Sequence, residues 1–480
     1  MQYFEWTMPN DGGLWKRLKE DAEHLAEIGV SAVWVPPAYK CMTQDSVGYS
    51  PYDLYDFGEF DQKGTVRTKY GTRKEFEEAV EALHAKGICV YLDAVLNHKA
   101  GADEKERFFV KRVAEEDRNH ELSEAYEMEG WTGFTFPGRG DKYSGFRWHW
   151  YHFSGVDYDA GRGEAGVFKV LGEGKEWCTS VDHEKGNYDY LMFANIDYRH
   201  PDVVQEMLHW GSWVVKEFNL DGFRLDAVKH ITRPFIKHFL DYVREHAGRP
   251  FYAVGEFWKY RQEDLAGFSE EMEDRLDLFD VPLHFSFHEA SQQGDAYDMG
   301  SLMQGSLVQE RPTLSVTFVD NHDSQAGQAL ESPVLDWFKP AAYGIVLLQK
   351  EGYPCVFYGD YYGMGGQEPM HRGVIDTLLR VRRLYAWGEQ WDYFDHHCTV
   401  GFTRLGDEAH PGSGLALLVS NGGDGEKWMN VGARHAGEEW EEVTGCCPGE
   451  KVRINEEGYG RFTVPAAKLA VWTKAQEPTD

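Results

Sequence analysis

The chain predicts a (β/α)8 barrel that carries one long insertion and is followed by an all-β domain. Three observations lead there. Apolar strand-like runs alternate with amphipathic helix-like ones over most of the 480 residues. The alternation is suspended between Lys99 and about Pro201, and it stops for good after about Gly388. Alternation of this kind is the mark of βα units around a parallel sheet. With about eight strand candidates a closed barrel leads, and an open doubly wound sheet is the alternative.

The elements follow in order. "LWKRLKEDAEHLAEIG" is helical and leads into "SAVWVPPAY"; "RKEFEEAVEALHAKG" leads into "ICVYLDAVLNH", with apolar positions at helical spacing. The helix due next is replaced by an irregular segment rich in Gly, Asp and aromatics. It is far longer than an ordinary βα connection and reads as an inserted domain. The rhythm resumes with the helical "PDVVQEMLHWGSWVVKEF" and "PFIKHFLDYVREH", and the strand-like "DGFRLDAV", "FYAVGEF", "LFDVPLH", "TLSVTFVD" and "PCVFYGD". Beyond it, "GLALLVSNGGDGEKWMNVG" and "YGRFTVPAAKLAVWTK" read as short strands joined by Gly-rich hairpins. The expected boundaries are residues 1–98 and 202–387 for the barrel, 99–201 for the insertion and 388–480 for the last domain.

Composition narrows the partners. Lys+Arg 49 against Asp+Glu 80 leaves a formal charge of -31. Such a chain repels nucleic acid and anionic membranes, since phosphate binding needs concentrated positive charge. No apolar run approaches the roughly 20 residues of a bilayer span, and the N-terminus shows no secretory pattern. The seven cysteines are scattered without a CxxC pair, which suits a reducing compartment. The cytoplasm is therefore expected, with secretion the alternative had a signal peptide been removed. Adjacent Cys446 and Cys447 are expected to stay thiols, and the "HHC" run at His396 is expected to be a solvated loop. A monomer is the default expectation.

One strand poses a chemical question. In "DGFRLDAVKH" Phe223, Leu225 and Ala227 share one face while Arg224 and Asp226 share the other. Burying charge costs several kcal/mol or more unless it is paired or used. Polar residues also gather at the C-terminal ends of other strands, where a barrel builds its active site: Asp93, Asn97 and His98 on the third, Glu256 on the fifth, His322 and Asp323 on the seventh. A lone Asp at a strand end is usually a helix cap. Four such clusters on successive strands are not explained by capping.

Together "DAVLNH", "GFRLDAVKH", "GEFW" and "FVDNHD" resemble the four sequence regions of the α-amylase family, glycoside hydrolase family 13. "MQYFEW" and "VGYSPYDLYDFGEF" look like bacterial liquefying members, and the whole chain also resembles intracellular bacterial ones. The resemblance implies a (β/α)8 TIM barrel, an irregular β-rich domain B after the third strand, and a C-terminal antiparallel β-sandwich. It implies endo-acting hydrolysis of α-1,4-glucans by a retaining mechanism, with Asp226 as nucleophile, Glu256 as acid/base and Asp323 as a third carboxylate gripping sugar hydroxyls. Arg224 is then placed to hold Asp226 ionised, and apolar neighbours should raise the pKa of Glu256. His98, His322 and Tyr49 are implied around the sugar being cleaved, and Lys229, Trp258 and Trp6 as further substrate contacts. Ordinary core packing is the competing reading for Trp6 and Tyr49.

The resemblance also implies one structural calcium between barrel and domain B, held by Asn97, Asp189, Asn195 and the carbonyl of His230, all hard oxygen donors. Liquefying members add a second calcium and a sodium. Ser154, Cys178 and Arg199 stand at three of those positions here, leaving Asp197 and Asp189. A thiol and a guanidinium are poor company for a cation, so that cluster is expected to be absent. Two other functions compete: an exo-acting or transglycosylating relative, and a non-catalytic binding or transporter-associated member. The latter tend to lose carboxylates that this chain keeps.

Overall fold

The computed structural model describes residues 1–475, so the last five residues of the expected C-terminal domain lie outside it. Seven parallel strands form one sheet in the order Ala32–Val35, Cys89–Ala94, Gly222–Leu225, Tyr252–Gly255, Asp277–Phe279, Ser315–Phe318 and Tyr353–Cys355. The N-terminal segment is the eighth stave. Gln2 bridges in parallel to both Trp34 and Phe357, the two edges of the sheet. Met1 O accepts from Trp34 N at 2.9 Å, and Gln2 N donates to Val356 O at 2.9 Å. The barrel is thus closed, and the open-sheet alternative falls away.

These strands form because both their faces are covered, which turns them into continuous apolar runs; Ala32–Val35 and Ser315–Phe318 are buried at every position. The helices between them carry their own start signals. Arg73–Ala85 opens on a capping box of Thr72 and Glu75, which satisfies two otherwise unpaired backbone donors. It turns Phe76, Ala79, Val80 and Leu83 inward. Pro201–Phe218 begins with Pro in its first turn and ends at Asn219 in the left-handed conformation.

The insertion is more regular than its composition suggests. It contributes a six-stranded antiparallel sheet ordered His98–Lys99, Ala194–Ile196, Phe153–Asp159, Glu164–Val170, Glu104–Val113, Tyr126–Gly133. Phe108, Val110, Met128, Phe153 and Phe168 from this sheet join the barrel's own core. The C-terminal sheet alternates as a two-faced strand must. Leu417, Val419 and Val471 pack toward the barrel helices Lys339–Leu348 and Arg372–Tyr385, while Ala416, Leu418 and Trp472 build a second core with Trp440 and Phe462. A Cβ at Gly344 would stand 2.8 Å from Leu469 Cδ1, so glycine lets the first helix lie directly on the sheet. All seven cysteines are free thiols, and Cys446 Sγ lies 3.6 Å from Cys447 Sγ.

Candidate active site

The strand Gly222–Leu225 ends one residue before Asp226, which therefore sits on the C-terminal lip of the barrel. Ala227 follows in the left-handed region with φ 48°, a conformation costing of order 1 kcal/mol or more for a residue with a Cβ. The turn has a use: it aims Ala227 N at Glu256 Oε2, 3.2 Å away. Glu256 itself follows the next strand, Tyr252–Gly255.

One fully buried guanidinium organises the acids. Arg224 Nη1 donates to Asp226 Oδ1 at 2.6 Å and to Asp93 Oδ1 at 3.0 Å, while Nη2 donates to Glu256 Oε2 at 2.7 Å. Asp226 and Glu256 thus share the two arms of one guanidinium. Burial pushes Glu256 up to about 7, opposed by Arg224 and reinforced by Asp226. Burial raises Asp226 to about 6, with Arg224 pulling down and Asp93 pushing up. Burial drives Asp323 up as well, helped by the nearby charge of Glu256. The acids therefore ionise in sequence rather than together.

Around them stand donors and flat rings. Gln2 Nε2 donates to His322 Nδ1 at 3.0 Å, which places the ring proton on Nε2. That nitrogen is buried, has no hydrogen-bond partner and lies 3.2 Å from Asp323 Oδ2. Tyr49 donates its hydroxyl to Asp93 Oδ2 at 2.8 Å. Trp6, Tyr49 and His322 are near-parallel, with Tyr49 and His322 centroids 5.0 Å apart at 7°. Trp6 and Tyr49 are only partly buried, so neither is a closed core residue. Lys229 and Trp258 sit at the flank: Lys229 Nζ meets Glu184 Oε2 at 3.1 Å and Trp258 O at 3.3 Å.

His98 settles the state of its neighbour Asn97. Burial lowers the His98 pKa to about 4, so the ring is neutral and has one N–H. Its Nε2 lies 2.9 Å from the carbonyl of Tyr49, which only a donor can approach. Nδ1 must then accept, and the Asn97 atom 3.2 Å from it must be the amide nitrogen, since amide orientation is assigned from such networks. That turns the Asn97 oxygen toward the carbonyls of Asp189 and His230, each 3.4 Å away. Three oxygens converging without a donor call for a cation. Close by, Asn195 Oδ1 is buried and unpartnered. Asp189 is buried and raised to about 7, with Ser154 Oγ and Cys178 N as its donors. The donor set fits a hard divalent ion.

Several functional features escape a reading of the sequence. Asp93 ties Tyr49, Trp34 and Arg224 together. Lys175 is buried, and its ammonium meets Asp197 Oδ2 at 2.7 Å and Phe153 O at 3.2 Å, while Arg199 Nε meets Asp197 Oδ1 at 3.1 Å. Beside His98, Lys99 and Phe193 line a pocket of about 370 Å³ together with Met42, Trp131, Asp157 and Tyr158. Exposed Trp131 and Tyr158 offer the flat apolar faces on which sugar rings rest. The aromatic richness of the insertion was the only hint of it. His152, His200 and Asp202 also cluster, but both imidazole Nδ1 atoms accept backbone N–H bonds, from His149 and Asp202. Each ring thus carries its proton on Nε2, and neither has a lone pair left for a metal.

Comparison with known proteins follows the same lines. Residues 2–395 match the family model described as alpha amylase, catalytic domain. The chain is 50% identical to the alpha-amylase of Bacillus licheniformis over 99% of its own length and 93% of that protein. It is 49% identical to a glucan 1,4-alpha-maltohexaosidase of Bacillus sp. strain 707, covering 98% and 91%, and 42% identical to the cytoplasmic alpha-amylase of Escherichia coli K12, covering 98% of each. A solved Anoxybacillus alpha-amylase superposes over 100% of this chain and 97% of its own with a TM-score of 0.66, at 18% identity.

Proposed function

The chain belongs to the α-amylase family, and from that premise we propose that it hydrolyses internal α-1,4-glucosidic bonds of starch, glycogen or maltodextrins by a retaining double displacement. The observation that carries this reading is that Asp226 and Glu256 are held side by side by the two arms of one buried guanidinium. Retaining enzymes hold their two carboxyls roughly 5–5.5 Å apart, whereas inverting ones leave a gap of about 6.5–9.5 Å for water.

The steps follow from the charges. Asp226, the more readily ionised of the two, attacks the anomeric carbon. Glu256, protonated to about neutral pH, gives its proton to the departing oxygen as the glycosidic bond breaks. Water then enters, loses a proton to Glu256 and releases the sugar from Asp226. Asp323 and the Nε2–H of His322 bind hydroxyls of the sugar under attack, with His98, and Tyr49 and Trp6 provide a platform for its apolar face. Lys229 and Trp258 contact the sugars on the leaving side. Arg224 and Asp93 position the nucleophile rather than touch substrate.

Residues 1–98 and 202–387, 99–201, and 388–480 act in this reading as barrel, domain B and domain C. One calcium is held between the first two by Asn97, Asp189, Asn195 and the carbonyl of His230, and when bound it ties domain B to the site. Lys175 and Arg199 supply the positive charge beside Asp197, so no second calcium or sodium is needed there. A cytoplasmic location is supported by the free thiols and by the likeness to the Escherichia coli enzyme.

Digestion of soluble starch tests the endo claim: iodine colour should collapse while few reducing ends have formed. The Trp131 pocket and the likeness to a maltohexaosidase favour a second reading, release of oligosaccharides of one set length. Slow colour loss with a single early product would select it.

A further inference from the structure

We propose that a pocket between helix Arg372–Tyr385 and the C-terminal sheet binds a small phosphate-bearing anion, held by Arg382, Arg383, Arg404, Lys350 and Gln349. The pocket measures about 340 Å³, at the lower end of the range of small-molecule sites. None of its lining residues is Asp or Glu, and four are Lys or Arg, in a chain where acids outnumber bases 80 to 49. It belongs to the far side of the barrel. Gly29 and Gln349 line it and both precede strands, whereas the catalytic carboxylates follow them.

The guanidiniums there are spoken for only by neutral oxygens. Arg404, 6% exposed, donates to Leu348 O at 3.2 Å and to Gly388 O at 3.0 and 3.2 Å. Arg382 donates to Leu347 O, and Arg383 to Glu27 O at 3.0 Å. Among the described residues none of the three pairs with a carboxylate; of the four cations only Lys350 does, with Glu389 at 3.1 Å and Glu351 at 3.9 Å. Burial and the neighbouring Arg382 together pull Arg404 down to about 10, although Glu351, Glu389 and Asp407 lie near enough to oppose it. Independently, Gln349 is 5% exposed and its Nε2 donor has no partner.

A structural role alone does not account for this. Leu347, Leu348 and Glu27 close two helices, and cations do favour helix C-termini. Each terminus carries only about half an elementary charge, so two of them leave most of three guanidinium charges unbalanced. Forked Arg donors match phosphate oxygens bidentately. Trp387, partly buried on the pocket wall with one ring face stacked on His410 at 3.6 Å, leaves its remaining surface for an organic substituent to lie against.

Calorimetric titration of the full chain with inorganic phosphate and with glucose 1-phosphate, at constant ionic strength, tests the proposal. One site per chain is expected, with Kd below about 1 mM for at least one probe. Arg382→Gln, and separately the rim pair Lys350→Gln/Arg383→Gln, should weaken it about tenfold or more, as losing a charge-assisted hydrogen bond does, with starch hydrolysis unchanged. Equal affinities would assign the site to free phosphate. Tighter binding of the sugar ester would assign it to phosphate esters resting on Trp387. No saturable binding of either probe, or undiminished binding in the folded rim variant, would overturn the proposal.

Discussion

Replacing Glu256 by Gln should remove nearly all activity, leaving a small measurable residue, and, at alkaline pH, stabilise the fold. The amide keeps the shape of the side chain but cannot give a proton to the glycosidic oxygen, a loss of about 10²- to 10⁴-fold in rate. The stability effect follows from linkage. The carboxyl rises from its ordinary 4.5 to about 7 because burial disfavours its charge. At about 1.4 kcal/mol per pKa unit, the ionised group costs the folded state roughly 3 kcal/mol above pH 7. The sign is that of a raised acid: the cost is nil below the unfolded pKa, where both states are protonated, and grows as pH climbs through 4.5 to about 7. At about 2 °C or less per kcal/mol for a chain this long, Glu256→Gln should melt a few degrees above wild type at pH 8 and level with it at pH 4. Turnover by the reducing-end assay and calorimetric melting at both pH values decide it. Turnover above about a tenth of wild type, or a variant less stable than wild type at pH 8, would refute the reasoning.

The same two acids set the pH profile. With Asp226 raised to about 6 and Glu256 to about 7, kcat/KM on a maltooligosaccharide should be bell-shaped, and Glu256→Gln should lose the alkaline limb; an unchanged rate at pH 9 would contradict the acid assignment. Elemental analysis after dialysis should find about one calcium per chain, and chelation should lower the melting temperature; two or more tightly held ions would contradict the role given to Lys175. Lys175→Met should lower the melting temperature by several degrees, since breaking a buried pair costs about 3–5 kcal/mol; an unmoved transition would show that Arg199 alone suffices for Asp197.

How far the sequence could be read depended on the range of the interactions. Barrel strands such as Ala32–Val35 are apolar throughout because helices cover both their faces, so they announce themselves. The strand "EKERFFVKRV", Glu104–Val113, does not. Charged residues dominate it, and it is a strand only because Tyr126–Gly133 and Glu164–Val170 pair with it from a distance. The carboxylates proposed to react stood out because charge inside an apolar run needs a reason. Their supports did not: Gln2 meets His322 across 320 residues, and Asp93 meets Arg224 across 131. The orientation of Asn97 could be deduced only once the lone proton of His98 had been assigned by burial and by Tyr49. Trp6, by contrast, was ambiguous in sequence and is drawn to the cleft by its stacking on Tyr49 and His322.

The claim on which the rest depends is that Asp226, held beside Glu256 by the Arg224 guanidinium, forms a covalent bond to the sugar. Proton NMR of a maltooligosaccharide digest, recorded before mutarotation, reads this directly. Two inversions should return the α-anomer as the first product. A first product in the β configuration would mean that water, not Asp226, attacks the anomeric carbon.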